Sequence, residues 1–160
     1  MSSEKSFVVI GAGNLARGDD AIGRLVLRAL AAKKTREIYP VEIEGEATQV
    51  VEALTGAGAA IVIDACRSGA TAGTIHRFDV SRQPLPIALG SLSSHGFGLA
   101  AGIELARNLN LLPGRCVVFA IEIDDFAYGV APAARLNAWL DELLACVELE
   151  IESILLSQAS

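Results

Sequence analysis

Short apolar runs rich in β-branched residues alternate along this chain with longer stretches of helical spacing, and few architectures satisfy that alternation. Strand candidates are Phe7–Ile10, Tyr39–Ile43, Ala59–Ile63, Thr74–Phe78 and Cys116–Ile121. Helix candidates are Ala21–Lys34, Thr48–Leu54, Phe97–Leu109 and Pro132–Leu156. Runs as uniformly apolar as Ala59–Ile63 suit strands covered on both faces, as parallel sheets require. The pattern predicts a three-layer α/β/α domain with a five-stranded, mainly parallel sheet and one antiparallel edge. With 160 residues and no repeat or linker, the chain reads as a single domain, 1–160.

The helix edges have chemical support. Asp19 or Asp20 is placed to cap the first helix, and Pro132 suits the first turn of the last. In that last helix Leu136, Trp139, Leu140, Leu143, Leu144, Val147 and Ile151 fall on one broad apolar face. The segment Ser81–Ser94, with Pro84, Pro86 and Gly90, reads as a long loop of the kind that often carries function.

Several function classes are disfavoured by composition. The net charge is −6, and the 13 Lys and Arg are scattered, so no nucleic-acid partner is expected. No run approaches the roughly 20 apolar residues of a membrane span, and the polar start, Met1 to Ser6, does not resemble a signal segment. The expectation is a cytoplasmic monomer without a membrane partner. Cys66, Cys116 and Cys146 lie far apart without Cys-x-x-Cys spacing, so neither a disulfide framework nor a zinc knuckle is implied.

The first strand runs into Gly11-Ala12-Gly13-Asn14-Leu15-Ala16-Arg17-Gly18-Asp19-Asp20, followed by Gly23. Its opening mimics the G-x-G-x-x-A dinucleotide fingerprint, with Glu42 or Glu44 as the ribose acid. Physical chemistry disfavours that reading. Arg17 and Gly18 lengthen the loop, and two carboxylates at the helix N-terminus would repel a phosphate and compete for its amides. One of them, Asp19, serves as a cap, which leaves Asp20 to face the crevice beyond the strand ends.

Two further residues give Asp20 company. The strand run Ala59–Ile63 ends in Asp64, at the position where open α/β sheets bind ligands. His95 stands between the long loop and a helix, in Ser94-His95-Gly96. Taken singly, Asp64 could merely bind nearby amides, and His95 could be a surface residue. His76, inside a strand run beside Arg77, reads as that ordinary surface case. Together Asp20, Asp64 and His95 offer two carboxylates and one imidazole, a donor set that suits nickel or zinc. No His-Glu-x-x-His helix is present to make an ordinary zinc protease, and so few ligands fit a metal shared with a partner.

These segments resemble the NiFe-hydrogenase maturation endopeptidases. The resemblance rests on Gly11-Ala12-Gly13-Asn14 with Gly18-Asp19-Asp20 and Gly23, on Asp64-Ala65, on Ser94-His95-Gly96 with Leu99, and on Gly129-Val130-Ala131-Pro132. In order and spacing it covers nearly the whole chain. It implies an enzyme that removes the C-terminal extension of a hydrogenase large-subunit precursor after nickel insertion. It also implies that Asp20, Asp64 and His95 are the catalytic, metal-contacting residues, and that the nickel arrives with the precursor, so no permanent cofactor is needed. Two segments depart from the family pattern. Gly45-Glu46-Ala47-Thr48 stands where a double glycine before threonine or serine is frequent, and Ile121-Glu122-Ile123-Asp124-Asp125 where Gln-Pro or Glu-Pro is frequent. Both bear on substrate choice, since neither touches the three ligands.

Three other readings compete with proteolysis through this triplet. A non-cleaving, nickel-dependent chaperone for the precursor would use the same residues. Cys66 with His95 would make a cysteine hydrolase, although a small buried cysteine is the simpler reading of Cys66. A dinucleotide-binding module is the most distant.

Overall fold

In the computed structural model, which describes residues 6–16, 21–33, 37–86, 98–124 and 134–160, the chain forms five strands and four helices. They are β1 (Phe7–Ala12), α1 (Ile22–Ala32), β2 (Tyr39–Ile43), α2 (Ala47–Leu54), β3 (Ala59–Cys66), β4 (Ile75–Asp79), α3 (Gly98–Asn108), β5 (Arg115–Glu122) and α4 (Ala134–Gln158). The sheet order is β2-β1-β3-β5-β4, parallel throughout except for β4, which lies antiparallel on β5. This is the predicted architecture, antiparallel edge included.

Alternation along the central strands builds two cores, one per face. Phe7, Val9, Ile61, Ile63, Val117 and Phe119 meet α1 and α4; Val8, Ile10, Ala60, Val62, Cys116 and Val118 meet α2 and α3. Three layers result. The predicted face of α4 packs as expected, with Leu136, Leu143, Val147 and Ile151 buried, and Trp139, Leu140 and Leu144 partly so. Glu150, on the same helix, accepts hydrogen bonds from Arg77 Nε (2.7 Å) on β4 and Arg115 Nη2 (3.3 Å) on β5, bracing α4 across two strands. Edge strand β2 carries Pro40, in register with Val9, and edge strand β4 carries the charged Arg77 and Asp79. No described helix is long and apolar enough to cross a membrane.

Two strands run further than their apolar runs predict. β1 continues through Gly11, in register with both β2 and β3, and Ala12, in register with β2, because glycine here serves contact with a helix and does not stop the strand. A Cβ on Gly11 would stand 2.5 Å from the Gly23 carbonyl oxygen, and one on Gly23 would stand 2.4 Å from the carbonyl oxygens of both Ala12 and Ile63. Those contacts let α1 sit directly on the β1–β3 pair. β3 likewise continues past Asp64 to Cys66, paired with Glu122. At the start of α1 the described N-cap position is Ala21, which makes no side-chain capping bond. The expected caps Asp19 and Asp20, and Pro132 ahead of α4, lie outside the described residues.

Gly23→Ala forces backbone against backbone, so it should lower stability by about 2 kcal/mol, the usual range for overpacking; urea unfolding measures this. A second prediction concerns pH. The Arg77 hydrogen bond, assisted by Arg115 against the opposing effect of burial, holds the Glu150 carboxyl below its ordinary value of 4.5. A depressed folded value means that its stabilisation is present above pH 4.5 and is lost as pH falls through the lower folded value. Glu150→Gln should therefore cost about 2 kcal/mol at pH 7, and the gap between variant and wild type should close as the pH is taken below 4.5.

Candidate functional site

Because β2, β1, β3 and β5 run parallel, their carboxyl ends share one edge of the sheet. The chain steps from β1 through α1 to β2 on one side, while β3 lies on the other, so a topological switch point opens between β1 and β3. Ligands of open α/β sheets bind in such a crevice.

Asp64 occupies this edge of β3. It is fully buried, and its Oδ1 accepts a hydrogen bond from the Ala65 amide at 2.8 Å. Strand alternation puts it on the same face as Ala60, Val62 and Cys66, toward α2 and α3. Withdrawing a carboxylate from water costs free energy, so a buried one at a ligand crevice marks a functional candidate. Asp20 and His95 lie outside the described residues. Described neighbours of both stand at this same edge. Ala21, next to Asp20, is the N-cap of α1, which Gly23 seats on Ala12 and Ile63. Gly98, three positions after His95, opens α3 and presses on the turn after β2, where an added Cβ would meet the Gly45 carbonyl oxygen at 2.2 Å. Below that turn, Gln49 Oε1 accepts from the amides of Glu44, Gly45 and Glu46 at 3.1–3.2 Å, which fixes the departing segment Gly45–Thr48.

The dinucleotide reading loses one of its two candidate ribose acids. Glu42, at the end of β2, is bound by Arg24 Nε and Arg28 Nε of α1, each at 3.0 Å. Gly13, with φ 146°, donates its amide to the Ile43 carbonyl at 3.2 Å, so the first loop closes on β2.

A second group of side chains lies one step further along β3. Cys66 Sγ, a His76 ring nitrogen and a Glu122 carboxylate oxygen all lie within 4.8 Å of one another. His76 Nε2 is 3.1 Å from Glu122 Oε1, and the Ser68 amide donates to both Glu122 oxygens at 3.1 Å. The Ser68 hydroxyl donates to Oε1 as well. Burial pushes the Glu122 carboxyl up, but the Ser68, His76 and Cys66 hydrogen bonds outweigh it and hold it below its ordinary value. Burial, then the Glu122 charge, pushes the Cys66 thiol far up. A buried thiol raised in this way is a poor nucleophile, which weighs against the cysteine-hydrolase reading.

His76 is thus not the surface residue expected of it. The sequence carries a partial signal for the cluster. Glu122 continues the alternation Cys116, Val118, Ala120 onto the α2–α3 face, and Cys66 does the same from Asp64. The antiparallel register that brings His76 opposite Ala120 has no such signal.

No protein-family model and no curated protein matches the sequence. Solved structures do match the fold. The hydrogenase maturating endopeptidase HybD from Escherichia coli superposes with a TM-score of 0.73 at 18% identity, over 92% of this chain and 93% of that one. The [NiFe] hydrogenase maturation protease HybD from Thermococcus kodakarensis gives 0.72 at 20% identity, over 89% and 97%. An endopeptidase from Escherichia coli gives 0.75 at 20% identity, over 89% of each chain. The chain has the fold of these hydrogenase maturation proteases over nearly its full length.

Alkylation reports on the cysteines. Cys66 and Cys116 are fully buried, whereas Cys146 is half-buried. Native protein treated with iodoacetamide should gain one adduct at Cys146, with Cys66 and Cys116 modified only after denaturation, as peptide mass mapping would show. Fast native labelling of Cys66 would reopen the hydrolase reading.

Proposed function

We propose that this chain is an endopeptidase that removes the C-terminal extension of a NiFe-hydrogenase large-subunit precursor after nickel has been inserted. Asp20, Asp64 and His95 meet the precursor's nickel and so select the loaded form. The observation that carries this reading is the buried Asp64 carboxylate at the switch point of a sheet that has the maturation-protease fold. Two carboxylates and an imidazole suit a borderline divalent ion whose remaining ligands come from the substrate. The metal then supplies Lewis acidity or anchors the bond to be cut. A carboxylate of the triplet takes the proton of the attacking water. In this reading the enzyme works in the cytoplasm as a monomer and draws no catalytic metal from a store of its own.

The test is cleavage of a large-subunit precursor, prepared with and without nickel, followed by intact-mass spectrometry. Wild type should release the C-terminal peptide from the nickel-loaded precursor alone. Asp20→Ala, Asp64→Asn and His95→Ala, each confirmed as folded, should each lower the rate at least 100-fold, the scale of losing a catalytic group. A folded His95→Ala protein with normal turnover would sink the assignment. Nickel-dependent binding without any mass change would instead make the chain a chaperone for the precursor.

A further inference from the structure

We propose that Cys66, His76 and Glu122 form a second metal site, which takes a thiophilic divalent cation of the zinc class through three protein ligands. This cation is distinct from the precursor's nickel, and its presence departs from the expectation that the chain keeps no metal of its own.

The argument begins with placement. Cys66 on β3 and Glu122 on β5 are register partners, and His76 on β4 faces Ala120, two residues before Glu122 on the same strand. Three adjacent strands therefore each contribute one donor to a single point, and rigid strands hold ligands better than loops do. The donors are a sulfur, an imidazole nitrogen and a carboxylate oxygen, all within 4.8 Å of one another. A tetrahedral zinc ion with bonds of about 2.0–2.3 Å sets its ligand atoms roughly 3.5 Å apart. His76 Nε2 and Glu122 Oε1, at 3.1 Å, already stand close to that spacing.

The surroundings suit a bound cation. Glu122 is 1% exposed, and the ring that faces it is the His76 imidazole, which is charged only when protonated. A metal ion would balance that carboxylate permanently and displace the thiol proton. Ser68 already supplies the outer support, with its amide and hydroxyl orienting the carboxylate as second ligands commonly do. His76 keeps 23% of its side chain exposed and so leaves an approach from solvent. A sulfur ligand favours zinc, cobalt or nickel over magnesium or calcium. Cys66 is two residues from Asp64, about 6.6 Å along the strand, so the ion would stiffen the stretch of β3 that carries Asp64.

Cobalt(II) is the probe, added to the full chain after chelation and reduction. Wild type should bind one equivalent with a near-ultraviolet thiolate-to-cobalt charge-transfer band and intense tetrahedral visible bands. One equivalent of zinc should abolish those bands and raise Tm by several degrees. Cys66→Ser should lose the charge-transfer band, and His76→Gln should weaken cobalt binding at least tenfold. Asp20→Ala and Cys146→Ala should both keep the band, which separates this site from the nickel triplet and from the half-buried thiol. Absence of a thiolate band in wild type, or its survival in Cys66→Ser, would overturn the proposal. If Cys66→Ser does not fold, wild type and His76→Gln decide the matter, since unchanged affinity in the latter also overturns it. None of these outcomes depends on proteolysis.

Discussion

Everything at the carboxyl edge of the sheet depends on how closely α1 can approach the β1–β3 pair. Gly23 is the point of contact. Its Cα side faces the carbonyl oxygens of Ala12 and Ile63, at distances that exclude any side chain, while Gly11 yields to the helix backbone from below. The helix N-terminus is thereby set over the seam between two strands, one residue after Asp20 and one residue from the strand position of Asp64. Apolar burial in two separate cores stabilises the sheet, but it is this backbone contact that sets the position of the crevice.

The opposite face uses the same device. Gly98 starts α3 against the Gly45 carbonyl, and Gly102 passes close to Val50 and Ala47 of α2. The start of α3 is thus held against the turn after β2, which Gln49 ties down through three amides. Close helix approaches on both faces bring the flanks of the triplet to one edge, although the three residues come from distant parts of the chain.

Much of this was legible in the sequence because periodicity and burial share a physical cause. Tyr39–Ile43 is the observed strand β2, and the face of α4 could be drawn from spacing alone. The ends of β1 and β3 were not. Gly11 reads as a break and Asp64 as a terminus, since propensity cannot see that pairing with neighbours on both sides carries a strand through them. Of the triplet, Asp64 stands where the strand pattern put it, while Asp20 and His95 belong to segments outside the described residues. The Cys66, His76 and Glu122 group lay hidden for a different reason. Its assembly depends on the register of an antiparallel edge strand, and no single-chain pattern encodes that register.

The two edges of the sheet have a consequence for how the molecule behaves in a crowd. Open strands invite pairing with other chains, and both borders here are poor templates. Pro40 removes one amide donor from β2, and Arg77 and Asp79 interrupt β4 with charge, while Glu150 ties Arg77 back to α4. A protein built this way can meet long, partly unfolded polypeptides without recruiting them as additional strands. Aggregation through its borders is suppressed.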